Sequence, residues 1–277
     1  MSLDPRNTLA RPELAARSLE GLTAAGAYVD PVAMTAVVAA APLRAAPDPE
    51  AEQVDQVLFG EPFQVLGEQD GFCWGQASRD GYVGHVAKAD LAPLAPAPTH
   101  RVSALRTYAF TAASIKSRAL GPYSLGSLIT VEAREGRFVK AVNAGWFVEA
   151  HLSPIGVFET DFVAVAERYL GTPYLWGGRE SLGLDCSGLV QQALLACGKA
   201  CPRDTDQQAL MGRAVHAESL ARGDLVFWRG HVGILLDAET ILHANAYHMA
   251  VAIEPLAQAV ARIGATSTGQ PTAYRRV

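Results

Sequence analysis

The sequence has no concentrated run of basic residues, no long apolar segment and few cysteines, and each shortage removes a class of function. Its 23 Lys and Arg against 28 Asp and Glu give a net charge of -5. Binding along a phosphate backbone needs a basic footprint that is not there, so no nucleic-acid partner is expected. No stretch approaches the roughly 18 uninterrupted apolar residues of a membrane span. The most apolar early run, 31–43, is Ala/Val-rich and interrupted by Pro31 and Pro42; no membrane partner is expected. Four cysteines (Cys73, Cys186, Cys197 and Cys201) are too few and too unevenly spread for a disulfide scaffold, which fits a reducing compartment. The N-terminus mixes arginines and acids on an Ala-rich background and lacks the basic-then-apolar layout of a secretory signal. A cytoplasmic location is the expectation.

What is present divides the chain into stretches of different rhythm. Residues 1–40 read as a helical lead-in, clearest from Glu13 to Leu22, with AMTAVV as a strand candidate. A Pro/acid-rich joint, APDPEAE, is followed by short alternating runs parted by Gly and Asp, such as VDQVLFG, FCWGQASRDG and YVGHVAKADL. A second joint, LAPLAPAPTH, opens a similar set that ends in GWFVEAHL, which resembles the earlier GYVGHVAKADL. Two small all-β barrels at 41–95 and 100–155 are the reading, similar to bacterial SH3-like domains.

From Thr160 the period changes to that of a helix. TDFVAVAERYLG opens on capping residues, places Phe162, Val165, Ala166 and Tyr169 on one face and stops at Gly171 before Pro173. A second helix runs from Cys186 to Cys197 with Gly198 as its stop, and strands follow at DLVFW, HVGILLD and TILHANA. Helices first and an antiparallel sheet after is an α+β order, for a domain spanning 158–277.

Cys186 is the best candidate nucleophile. A thiolate at the start of a helix is favoured by unpaired backbone N–H groups and the positive end of the helix dipole. Asp185 and Ser187 flank it as helix-start residues, and Gly188 permits close approach by another chain or a substrate. His231, at the head of HVGIL, supplies a base. His243 lies twelve residues on, across a hairpin turning at Asp237 to Thr240, within reach of the second nitrogen of His231. Cys186, His231 and His243 would equally make three ligands of a zinc ion, but no carboxylate or CxxC pair stands at ligand spacing to complete it. Cys197 and Cys201 read as packing residues, and His216 and His248 have no visible partner.

Taken in order, PYLWGG, GLDCSGLVQ, PRDTDQQ, GDLVFW, HVGI and ILHANA resemble the NlpC-type papain-like cysteine peptidases of bacterial cell-wall peptides, over Thr160 to the C-terminus. The resemblance implies a papain-like domain with Cys186 as nucleophile, His231 as base and His243 as the orienting polar residue. Tyr174 would place its hydroxyl near the thiol and the oxyanion. Two SH3-like domains ahead of such a peptidase look like the γ-D-glutamyl-L-diamino acid endopeptidases of the dipeptidyl-peptidase VI type. That subgroup implies a peptidoglycan-derived tri- or tetrapeptide substrate, L-Ala-γ-D-Glu-diamino acid, with its free amine held by Asp185 and Ser187 and helped by Glu61 and Tyr82 of the first barrel. Trp176 and Thr205 would line the pocket, and Arg203 and Gln207 would brace the loop after it. No metal or organic cofactor is expected. Two competitors remain: a peptide- or glycan-binding module on an inactive papain-like scaffold, and an amidase or acyltransferase on the same framework.

Overall fold

Pro12 and Gly21 decide how the chain begins. The computed structural model describes residues 3–277, and they fall into two units, one ending at Val157 and one starting at Phe158. Among the described residues, the helical lead-in expected over residues 1–40 is not formed. Strands Ala10–Arg11, Leu14–Ala16 and Tyr28–Val29 make a small three-stranded sheet, and among the described residues of this stretch the one helical turn is the 3-10 turn Arg17–Leu19. Only eight residues separate Pro12 from Gly21, too few to repay helix nucleation. Tertiary packing takes over instead, and Leu9 and Ala16 are buried against Leu66 and Trp74 of the following sheet.

The first barrel starts earlier than residue 41. Its seven-stranded antiparallel sheet runs in the order Leu91–Pro93, Val32–Ala36, Pro62–Gln69, Phe72–Ala77, Val83–Ala87, Ala40–Arg44, Gln53–Leu58, so the AMTAVV strand belongs to it. Alternating residues of these strands, among them Leu43, Val57, Phe63, Cys73 and Val86, fill its core. The second set of strands, from His100–Val102 to Leu152–Pro154, forms a three-stranded and a five-stranded sheet around Val102, Ala109, Ile129, Val139 and Phe147.

In the second unit, helix α1 (Phe162–Glu167) is shorter than its sequence pattern suggests, and Asp161 caps it by accepting from the N–H groups of Val163 and Ala164 at 2.9 and 3.2 Å. Helix α2 (Cys186–Ala196) is buried on nearly every face, Gln191 and Gln192 included, as expected of a helix enclosed on all sides. Short α3 (Thr205–Gln208) follows, and α4 (Leu256–Gly264) comes near the end. The sheet is six-stranded and antiparallel, ordered Arg213–Ala214, Ala273–Arg276, Asp224–Trp228, His231–Leu235, Thr240–Asn245, Ala250–Pro255. Helix and antiparallel sheet are thus segregated, the α+β arrangement.

Candidate active site

Helix α2 begins at the thiol. Asp185, in extended backbone, is its N-cap, with Oδ1 accepting from the N–H of Gly188 at 2.7 Å. Cys186 follows as the first helical residue, and its sulfur receives backbone N–H bonds from Val232 and Ser187. Val232 is the residue after His231, so the sheet delivers its base next to the helix start. Gly188 is small for a reason inside the chain: a Cβ there would collide with the carbonyl oxygen of Gly178. The close approach is made by the PYLWGG loop rather than left open for a substrate.

Arg203 ties this loop and helix together. It is 1% exposed and grips Asp185 in a fork, Nη1 to Oδ1 at 3.0 Å and Nη2 to Oδ2 at 2.6 Å, while Nη1 also donates to Ser187 Oγ at 2.8 Å. Asp185 Oδ2 also accepts from the N–H of Gly177 at 2.9 Å. Gln208, which sequence reasoning passed over, braces the same region by donating to the carbonyls of Ser187 and Pro202 at 3.0 and 2.9 Å. Gln207 beside it is half-buried.

Sheet register makes the rest of the site. Ile234 pairs with Leu242, and His243 with Ala252. The two-residue side-chain period then puts His231, His243 and Glu254 on one face as diagonal neighbours. His231 Nε2 lies 2.8 Å from His243 Nδ1, and His243 Nε2 lies 2.8 Å from Glu254 Oε1. Glu254 is in turn ion-paired with Arg262 of α4. A carboxylate can only accept, so His243 carries its proton on Nε2 and presents Nδ1 as an acceptor. His231 must then donate from Nε2, which leaves its Nδ1 lone pair as the basic atom. Glu254 is the functional-site candidate that the sequence did not reveal; its only signal is an acid inside the apolar strand AVAIEP.

Burial pushes the Cys186 thiol up to about 12, with Asp185 adding to the rise, while the amides of Val232 and Ser187 and the charge of Arg203 act against it. Burial, then His243 and Arg262, hold His231 down at about 3, opposed by Glu254 and Asp185. His243, 0% exposed, is lowered to about 3 by burial, Arg262 and His248. Tyr174 is raised by burial and by its neighbours Cys186 and Asp185.

Tyr174 is half-buried beside Cys186, Trp176 stands 58% exposed on the same loop, and half-buried Thr205 opens α3. Glu61 and Tyr82 lie in the first unit. Glu61 is 1% exposed, pairs with Arg79 at 2.6 Å and accepts from the N–H of Leu58 at 3.0 Å. Tyr82 packs in the first barrel's core. His248, unassigned from sequence, joins His243 and Glu254 in a group whose ligand-capable atoms lie within 4.8 Å of one another; there its Nδ1 meets Asn245 Oδ1 at 3.0 Å.

A helix-start thiol beside a chain of imidazole, imidazole and carboxylate serves sulfur attack with histidine as proton carrier, which defines a thiol hydrolase of papain-like build. A model described as the NlpC/P60 family matches residues 171–263, and one described as the bacterial dipeptidyl-peptidase Sh3 domain matches 43–91. The chain is 32% identical over 211 residues, 68% of its length and 71% of the relative's, to a γ-D-glutamyl-L-lysine dipeptidyl-peptidase of Bacillus subtilis (strain 168). It is 26% identical over 251 residues, 76% of its length and 88% of the relative's, to dipeptidyl-peptidase 6 of Lysinibacillus sphaericus. In fold it is similar to an NlpC/P60 family protein from Bacillus cereus ATCC 10987, with TM-score 0.74, 19% identity, and 88% of this chain and 99% of that one covered. The chain belongs to the NlpC/P60 family and is a cysteine peptidase.

Proposed function

We propose that the protein hydrolyses the bond between γ-D-glutamate and a diamino acid in peptidoglycan-derived tri- and tetrapeptides that carry a free N-terminal L-alanine. The observation that carries this reading is the packing of the Asp185 carboxylate and Ser187 hydroxyl on either side of Cys186 at one helix start. The names of the two curated relatives, a γ-D-glutamyl-L-lysine dipeptidyl-peptidase and a dipeptidyl-peptidase 6, point the same way. Asp185 and Ser187 offer oxygen acceptors for an ammonium, and a buried ammonium needs such partners. In this reading Glu61 and Tyr82 of the first barrel help Asp185 and Ser187 to hold the amine.

In the reaction, His231 takes the thiol proton at Nδ1 as sulfur attacks the γ-carbonyl carbon of D-glutamate. Negative charge on the carbonyl oxygen is met by the N–H of Cys186 and the hydroxyl of Tyr174, each such donor being worth about 3 kcal/mol. The C–N bond breaks as His231 returns the proton to the departing amine, leaving a thioester. Water, deprotonated by His231, then attacks the thioester and regenerates the thiol. His243 and Glu254 hold the tautomer and spread the positive charge that His231 acquires. Trp176 and Thr205 flank the acyl half of the substrate, and Arg203 holds Asp185 in place.

A requirement for a free L-alanine amine suits released fragments, so the role we propose is recycling of wall peptides inside the cell. The test is cleavage of L-Ala-γ-D-Glu-diaminopimelate alongside its N-acetylated copy, followed by mass spectrometry. Release of free diaminopimelate from the first peptide only is the expected result. Equal cleavage of both refutes the amine-reading pocket, and cleavage of neither refutes the substrate.

A further inference from the structure

A cavity of about 330 Å³ opens beside the catalytic imidazole, and Tyr174, His231, Tyr247, Arg262, Thr266 and Thr268 are among the residues that line it. At roughly 30 Å³ per water it has room for about ten, enough for an amino-acid residue with a long side chain. Its place in the reaction follows from its walls. His231 hands a proton to the departing amine, so the leaving residue stands on the His231 side of the scissile bond. The acyl half stays with Cys186 and Asp185.

The chemistry of the lining is one-sided. None of the lining residues is acidic, and Arg262 is its fixed cation. Arg262 is held from two directions: Nη2 is ion-paired with Glu254, and the guanidinium carbon lies 4.2 Å from the centre of the Tyr247 ring. Its side chain keeps 24% exposure, and among the described residues its Nε and Nη1 donate to no protein acceptor. A pre-oriented planar fork with donors to spare is suited to a carboxylate. An ammonium ending alone in the same cavity would meet a like charge.

On the basis of the function proposed above, we propose that this cavity receives the leaving diamino acid and that Arg262 binds a carboxylate of that residue. Two carboxylates qualify: the α-carboxylate of a C-terminal diamino acid, and the second carboxylate at the far end of a diaminopimelate side chain. Both present the same chemistry to the guanidinium.

The test is calorimetric binding to Cys186→Ala, so that Arg262's contact with Glu254 cannot enter through the rate. Four peptides are compared: L-Ala-γ-D-Glu-meso-diaminopimelate and L-Ala-γ-D-Glu-L-lysine, each with the α-carboxyl free or amidated. The carboxylate that Arg262 reads should be worth about tenfold in Kd. A loss on amidation identifies the α-carboxylate, and a loss from diaminopimelate to lysine identifies the side-chain group. Arg262→Gln in the same background should erase that difference, and Arg262→Lys should keep part of it. Equal binding of all four peptides, or a difference that survives Arg262→Gln, overturns the proposal. If wild type cleaves none of them and Cys186→Ala binds none, the proposed function itself fails, a result distinct from four equal and measurable affinities.

Discussion

Replacing Glu254 tests how much of the activity depends on a residue that need not touch substrate. Glu254→Ala removes the acceptor 2.8 Å from His243 Nε2. That N–H is then left without its partner in a site where His243 is 0% exposed, a loss of about 1 to 3 kcal/mol. Part of the loss falls on the ground state, because His243 is free to place its proton on Nδ1, the wrong atom for accepting from His231. The remainder falls on the transition state, where a carboxylate no longer balances the charge arriving on His231. A fall in kcat of about 10- to 100-fold corresponds to the same range. Glu254→Gln keeps an acceptor and loses the charge, so it should lie between, near tenfold. Because Glu254 raises the basicity of His231, both variants should move the acid limb of kcat/KM to lower pH, while KM stays within about threefold. The assay is initial-rate release of the diamino acid between about pH 2 and 8, so that the window spans the His231 limb near 3. A kcat within twofold of wild type, or a loss carried wholly by KM with an unmoved acid limb, refutes the relay.

Three further outcomes follow from the same geometry. Arg203→Met leaves the Asp185 carboxylate buried without its fork of donors; breaking such a pair costs about 3 to 5 kcal/mol, and a Tm lower by on the order of 10 °C is expected by calorimetry. Pairing it with Asp185→Asn should recover part of that loss, whereas an additive double variant would show that the pair carries no coupling. His243 titrates near 6.5 when unfolded but is held at about 3 when folded, so the unfolded chain binds the extra proton between those values. Its contribution is complete above about pH 6.5 and is lost as pH falls toward 3, at up to about 1.4 kcal/mol per pH unit. Guanidinium midpoints should drop from pH 6 to pH 4, and His243→Gln should flatten that slope. The third concerns Gly188: Gly188→Ala forces its new methyl against the Gly178 carbonyl and should cost about 1 to 3 kcal/mol, seen as a lower denaturation midpoint.

The sequence carried most of the second unit and little of the first forty residues. Cys186 was legible because Asp185 is a helix cap, and the pairing of His231 with His243 because the hairpin turn between them fixes a two-residue rhythm. Glu254 was not, since its meeting with His243 depends on the register between Thr240–Asn245 and Ala250–Pro255, a pairing that no local motif specifies. Arg203 gave its loop-bracing position but not its fork onto Asp185, which closes over a sequence separation of 18. The N-terminal stretch misled because Ala-rich composition favours helix locally, whereas Leu9 and Ala16 gain more by packing on Leu66 and Trp74. Glu61 shows the same limit: its burial against Arg79, at a sequence separation of 18, and the Leu58 amide was not legible in the sequence.

The most direct test of the account is turnover of L-Ala-γ-D-Glu-diaminopimelate by wild type and Cys186→Ala at matched concentration and matched circular dichroism. Release of diaminopimelate by wild type, with none detectable from the variant although it still binds the peptide, is the predicted result. Release by Cys186→Ala within tenfold of wild type would contradict sulfur attack and, with it, the role given to every other residue of the site.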